Sequence, residues 1–508
     1  MHTFRNSRRE FLKSLGGWAV SMAVTGVTAA AKMNDKRYNV LLICVDDLRP
    51  QLGCFGHREM ISPNIDTLAD KGRLFTRHYV QVAVCGPSRC SMLTGKRQGD
   101  WDCWRQLREQ KIEPDRPVSL PHLFRKNGYR TVCIGKISHQ PGGVLEEKVH
   151  EVPFSWDLAY APIGKWKTPW GAFFSYAKWP PVYGQTNVPN IGSTDVLITR
   201  KNLAQFRGKW PAYEAADVSD TEYADGLNAA EAIKQLHELK DQRFFLAVGF
   251  YKPHLPFNAP KKYWDLYDPE KIELAKNPFA PMNVNPEISM HPSLVLTTGF
   301  YWPSGRGKVT ETEAKILRHG YFACVSYVDA QIGKVLHEVK RLGLDKNTVI
   351  VLWSDHGFHL GEHAMWGKAT NFEVAVRSPL ILKVPGMPKP GKRTHSLVET
   401  VDLYPTLVEL CGLDAPDDLA GRSLVPMISD PDHPGNSCAY SFHPRGPLMG
   451  RTLRTERYRI VHWTNKQGKT VQVELYDHKI DPDENENIAG QRLELVKGLL
   501  DKLQKVQQ

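Results

Sequence analysis

Several things are scarce or missing in this chain, and each shortage excludes a class. Its 508 residues hold nine cysteines, at positions 44, 54, 85, 90, 103, 133, 324, 411 and 438. None is arranged as a CxxC pair, which removes the common zinc frameworks. An odd count leaves at least one cysteine outside any intrachain disulfide. No apolar run beyond the first 31 residues reaches spanning length, so stable membrane insertion is not expected. No finger, basic zipper or other nucleic-acid signature is present, so nucleic acid is not an expected partner. No long region is repetitive or low in complexity.

What is present is ordinary for a globular chain: 41% hydrophobic and 24% charged residues, with length for two domains and a large core. The N-terminus differs. Ser7 to Lys13 reads "SRREFLK", an apolar stretch follows over 14–30, and Ala29, Ala30 and Ala31 close it. This predicts a removable twin-arginine export signal over 1–31 and a periplasmic or extracellular protein. A membrane anchor is the competing reading, but the apolar run barely spans a bilayer. Of the formal charge of +11, the leader carries +3, leaving about +8. For an exported chain a basic balance favours an acidic polysaccharide.

Apolar runs at 38–45, 130–134, 244–250, 348–353 and 379–384 read as buried strands. Helical patterns fall at 62–72, 120–127, 221–239, 310–342 and 398–410. Thr310 with Glu313 has capping-box spacing, and Gly343 marks the stop. The alternation predicts an α/β sandwich around a large mixed, mainly parallel sheet over 32–420. Strand patterns at 457–463 and 471–476 and a helix at 492–506 predict a smaller C-terminal α+β subdomain with an antiparallel sheet over 421–508. The excursions at 141–189 and 277–307 read as functional walls.

In open α/β sheets ligands sit beyond the carboxyl ends of the strands. After the first strand come Asp46 and Asp47. After the second come Lys136 and His139. Lys252 and His254 follow the third. Asp355 and His356 follow the fourth, with Lys368 a little further on. Singly, each has a plain explanation as a cap, a turn or packing. Together, three carboxylates suggest a hard divalent cation, calcium or magnesium. Lys136, Lys368, Arg89 and the histidines suggest an oxyanion such as sulfate or phosphate.

The segment "VCGPSRCSMLTG" over 84–95 places Cys85 at a helix mouth, with Pro87 in the first turn and Gly95 at the end. Three readings compete: a buried structural thiol, a nucleophile with a pKa lowered by the helix N-terminus, or a precursor of another group.

Cys85-x-Pro87-Ser88-Arg89 followed by Leu93-Thr94-Gly95 resembles the signature of the type I sulfatases. "NVLLICVDDLRPQLGCFG", "GKISHQPGG", "YKPHLPF" and "WSDHGFHLGEHAMWGKATNFE" resemble the iduronate-2-sulfatase branch and its bacterial relatives. The resemblance implies the alkaline-phosphatase-like sandwich and hydrolysis of a sulfate ester on a sulfated carbohydrate, with uronate 2-O-sulfate as a candidate. It implies that Cys85 becomes Cα-formylglycine through a formylglycine-generating or anaerobic sulfatase-maturating enzyme. Calcium would be held by Asp46, Asp47, Asp355, His356 and modified Cys85. Arg89 would stabilise the nucleophile, and Lys136 and Lys368 would neutralise the sulfate oxygens. His254 or Lys368 would protonate the leaving alcohol, and His139 would act as a base. Phe358 departs from the branch, where tryptophan is expected. A phosphonate monoester or phosphodiester hydrolase of the same superfamily, and a non-catalytic polysaccharide-binding homologue, stay open.

Overall fold

The computed structural model describes residues 37–97, 102–109, 118–146, 149–177, 210–297, 299–300 and 309–507. The expected export signal lies outside them. So do parts of both excursions.

The first strand, β1 (Asn39–Val45), is buried at every position. Alternate side chains serve two cores. Leu41, Ile43 and Val45 face one, and Val40, Leu42 and Cys44 face the other. A strand covered on both faces needs this double apolar run, which is why it is legible in the sequence. The same sheet holds β2 (Arg73–Tyr79), β3 (Arg130–Gly135), β4 (Leu158–Tyr160), β5 (Phe244–Phe250), β6 (Thr348–Ser354), β7 (Leu380–Lys383) and β8 (Arg393–Glu399), in the order β8-β2-β7-β6-β1-β5-β3-β4. β7 runs against its neighbours β6 and β2, and the other pairs are parallel. The sandwich is therefore mixed and mainly parallel, as expected.

Helices cover both faces. The helices α1 (Pro63–Asp70), α5 (Ala224–Leu239) and α6 (Glu311–Arg341) pack on one core. On the other lie α2 (Cys85–Thr94), α3 (Leu120–Lys126) and α7 (Leu403–Leu410). A short helix, α4 (Pro169–Phe174), sits in the first excursion. The Thr310–Glu313 capping box is present, with reciprocal bonds to backbone and side chain.

Two expectations needed correction. The helical pattern at 398–410 is the end of strand β8 followed by α7, so the helix starts at Leu403. Strand β2 went unread because it carries Arg73, Arg77 and His78. The fully buried Arg73 spends its guanidinium on the carbonyls of Met427, Ile428, Pro388, Lys389 and Lys392, a long-range arrangement without local trace.

The C-terminal sheet has four antiparallel strands, β9 (Ala439–Arg445), β10 (Leu448–Arg454), β11 (Tyr458–Thr464) and β12 (Thr470–Asp477). Helix α8 (Leu493–Gln507) covers it through Leu499 and Leu503. The two later strands were expected, and the two earlier ones were not. Among the described residues no helix is long and apolar enough to cross a membrane.

Candidate active site

Register delivers the site. Val45 lies opposite Phe250 on one side and Ser354 on the other, so Asp46, Tyr251 and Asp355 leave the sheet at one level. Gly135 pairs with Gly249, and a Cβ on Gly249 would stand 2.1 Å from the Lys136 carbonyl. Only glycine lets that turn pass. Cys85 opens α2 in the same place, with extended Val84 before it.

Asp46, Asp47 and Asp355 are fully buried. Three carboxylates so close require compensation. Lys136 Nζ donates to Asp46 Oδ2 at 2.5 Å, and Lys368 Nζ donates to Asp47 Oδ1 at 2.6 Å. Arg89 Nε donates to Asp355 Oδ2 at 2.8 Å, and its Nη2 stands 3.5 Å from Asp46 Oδ1. Burial raises the Asp46 pKa, but the charged Lys136 and Arg89 outweigh it and hold the carboxyl well below its usual range. Burial raises Asp47, against the pull of Lys368 and His356. Burial alone would lower Lys368, yet Asp47 drives its pKa up.

His356 Nε2 lies 3.3 Å from Cys85 Sγ, and its Nδ1 lies 3.4 Å from Asp47 Oδ1. His254 Nε2 stands 3.9 Å from Asp47 Oδ2, while its Nδ1–H donates to the Leu255 carbonyl at 2.6 Å. Burial, then Lys368 and Lys136, keep this ring neutral by lowering its pKa well below the ordinary value. Nε2 then carries the ring's lone pair, on the side that faces Asp47. His139 is half-buried, with its ring against Trp170 at 6.2 Å between centroids.

The expectation of a lowered Cys85 pKa fails. Burial pushes the thiol up to about 12, and Asp46 and Asp355 add to it against Lys136 and Lys368.

The strand-end reading missed three neighbours. Tyr321, in the middle of α6, donates its hydroxyl to the Asp47 carbonyl at 2.8 Å, and accepts from Arg49 N at 3.0 Å. This holds Asp47 at its left-handed φ of 61°. Ser88 Oγ donates to the Asp355 carbonyl at 2.5 Å. Phe173, in the first excursion, is buried. Its ring lies 4.8 Å from Lys136 Nζ and 4.9 Å from the His254 ring. Nothing in a helical or aromatic-rich segment marks which residue turns inward. Phe358 is buried against Tyr321 and lies 6.0 Å from Lys368 Nζ.

The donor atoms of Asp46, Cys85, Asp355 and His356 all lie within 4.8 Å of one another, and an overlapping group joins Asp47, Cys85 and His254. Buried oxygens with one nitrogen and one sulfur-bearing position fit a hard divalent cation better than a zinc centre.

Carboxylates and cations at the carboxyl edge of this sandwich define a hydrolase of the alkaline-phosphatase-like architecture. Within that class the chain belongs to the sulfatase family, whose model matches residues 38–413, and it is a sulfuric ester hydrolase. A second model, N-sulphoglucosamine sulphohydrolase, C-terminal, matches residues 361–508. The chain is 32% identical to iduronate 2-sulfatase of Homo sapiens over 515 residues, covering 88% of each. It superposes on the phosphonate monoester hydrolase of Silicibacter pomeroyi with a TM-score of 0.71 and 23% identity, covering 92% of this chain and 94% of that one. A 2-O GAG sulfatase gives a TM-score of 0.63 and 20% identity, covering 93% of each. These two structural likenesses speak for the fold.

Proposed function

We propose that this enzyme hydrolyses a sulfate ester on a sulfated sugar, with uronate 2-O-sulfate as the leading substrate. Cys85 acts after conversion to Cα-formylglycine, and Asp46, Asp47, Asp355, His356 and modified Cys85 hold Ca2+ rather than Mg2+. The observation that carries this reading is the convergence of the Asp46, Cys85, Asp355 and His356 donor atoms within 4.8 Å, flanked by Lys136, Lys368 and Arg89. The 32% identity to human iduronate 2-sulfatase supports the substrate.

When present, the cation and the aldehyde hydrate supply positive charge and the attacking oxygen. The chain's own residues do the rest. Arg89 binds Asp355 and keeps α2 against the strand ends. The Lys136 and Lys368 ammonium groups face the carboxylates from two sides, placed to share an entering sulfate's charge. Lys368 Nζ, or His254 once its Nε2 has taken up a proton, hands one to the leaving alcohol, and His139 withdraws one on the other side. Phe173 excludes water beneath Lys136 and His254.

Maturation requires a formylglycine-generating or anaerobic sulfatase-maturating enzyme. The twin-arginine-like leader directs the folded chain to the periplasm or beyond.

A phosphonate monoester or phosphodiester hydrolase is the second reading, because the same Lys136, Lys368 and Arg89 cations would bind a phosphoryl oxyanion as well as a sulfate. The test is inorganic sulfate release from uronate 2-O-sulfated disaccharides, beside turnover of phosphonate monoesters and phosphate diesters. Chelation should stop the sulfate release and calcium restore it better than magnesium. Faster phosphonate turnover, with no sulfate released, would replace the proposal with the second reading. No turnover of either would leave a polysaccharide-binding protein.

A further inference from the structure

Strand β9 belongs to the small C-terminal sheet, yet it is tied to both loops that carry the chemistry. Ser441 Oγ donates to the Val80 carbonyl at 2.6 Å, and Phe442 N donates to the Gln81 carbonyl at 2.8 Å. Both carbonyls lie in the segment that leads into Cys85. At the end of the strand, Arg445 Nη2 donates to the Ala369 carbonyl at 3.0 Å, and its Nη1 donates to the Met290 carbonyl. Ala369 follows Lys368 directly and holds a left-handed φ of 66°. A non-glycine residue keeps that conformation only where its surroundings hold it there. The Ala369 N–H donates to the Ala83 carbonyl at 2.9 Å, two residues before Cys85. The amide of one residue therefore hangs on the Cys85 segment while its carbonyl hangs on the small sheet.

The guanidinium suits this task. It is planar, so two of its nitrogens reach two carbonyls from different loops in a fixed relation. Burial lowers its pKa to about 10, and the nearby Glu474 charge opposes that fall. It stays charged at neutral pH, and charged donors make the stronger hydrogen bonds to carbonyls. A lysine supplies one flexible point of contact in place of the fork.

We propose that Arg445 is a positioning residue for sulfate-ester hydrolysis. It fixes the Lys368–Ala369 turn against the Cys85 segment, and β9 is the template on which both are set. The inference rests on the reading above, in which Lys368 and Cys85 carry the chemistry.

The test uses the full chain with Arg445→Ala and Arg445→Lys. Arg451→Ala is the control, because Arg451 lies on the adjacent strand and bonds Thr464 Oγ1 at 3.0 Å. Three readouts are taken: thermal midpoint, amide hydrogen exchange over 80–84 and 366–371, and kcat and KM for the ester that the wild type turns over. Masses of the Cys85 peptide separate lost maturation from lost positioning. In R445A, exchange over 366–371 should rise while the thermal midpoint stays near that of R451A. The value of kcat should fall on the order of 10²-fold, with KM moving less. R445K should recover part of kcat. Unchanged exchange, or equal losses in R445A and R451A, overturns the proposal. Should R445A not fold, R445K decides: reduced kcat at an unchanged thermal midpoint supports positioning, and wild-type kcat refutes it. If the wild type releases no sulfate from any ester, the functional reading fails, while the exchange data still judge the clamp.

Discussion

Arg89 Nε meets Asp355 Oδ2 at 2.8 Å in a place where neither side chain reaches solvent. Arg89 is one turn along α2 from Cys85, and Asp355 is the first residue past β6. One ion pair thus couples the helix to the sheet at the candidate active site.

Breaking that pair should cost stability as well as activity. In metal-free protein, Arg89→Ala leaves Asp355 buried and uncompensated, which costs about 3–5 kcal/mol. Arg89→Lys should fall between, since lysine cannot also reach the Lys136 and Ile137 carbonyls that Arg89 Nη1 serves. Urea unfolding measures both. A loss in R89A below about 1 kcal/mol, the range of exposed pairs, would contradict the structural weight given to this contact.

Cys85 should be found as an aldehyde in protein matured by a competent host. Its tryptic peptide would then weigh about 18 Da less than the thiol form. Cys85→Ala should fold normally and release no sulfate. Mass spectrometry of the native chain is sufficient, and a fully unmodified but active enzyme would exclude the formylglycine route.

Trp170 is half-buried on α4 beside His139, with its Nε1 donating to Gln140 Oε1 at 3.2 Å. Its place beside His139 suits a wall for the sugar. An aromatic contact of this type contributes about 0.5–1.5 kcal/mol, so Trp170→Ala should reduce kcat/KM for a sulfated disaccharide by up to about tenfold. A small aryl sulfate, which is too short to reach the wall, should be hydrolysed almost as before. Equal losses on both substrates would make Trp170 a support for His139 instead.

Acid stability should depend on Glu362. Burial raises its pKa, but Arg49 and Arg318 outweigh that and bring it to about 2. Because the folded value lies below the unfolded one, the group contributes stability above about pH 4.3 that is lost as pH falls toward 2. The contribution is at most about 3 kcal/mol. Glu362→Gln should lower stability at pH 7 and flatten the fall between pH 5 and 2, as read from unfolding midpoints. A variant with the wild-type slope would show that other carboxylates govern acid unfolding.

Much of the site was legible because parallel strands are buried on both faces. Residues 39–45, 244–250 and 348–354 are short apolar runs, so their carboxyl ends are visible without a structure. Asp46, Lys136, His254 and Asp355 follow from that rule, and Cys85 from its own local motif. Where the strand is polar, as in β2, the rule is blind.

By itself the sequence determined the strand ends, the helix that carries Cys85 and the chemistry of the groups brought there, since each is written in a few consecutive residues. Only the tertiary structure decided how those groups are held. Tyr321 reaches the Asp47 carbonyl from 274 positions away, and Arg445 reaches the Ala369 carbonyl from 76. Such partners leave no local pattern, because packing between distant segments, and not helix or strand periodicity, selects the side chain that turns inward.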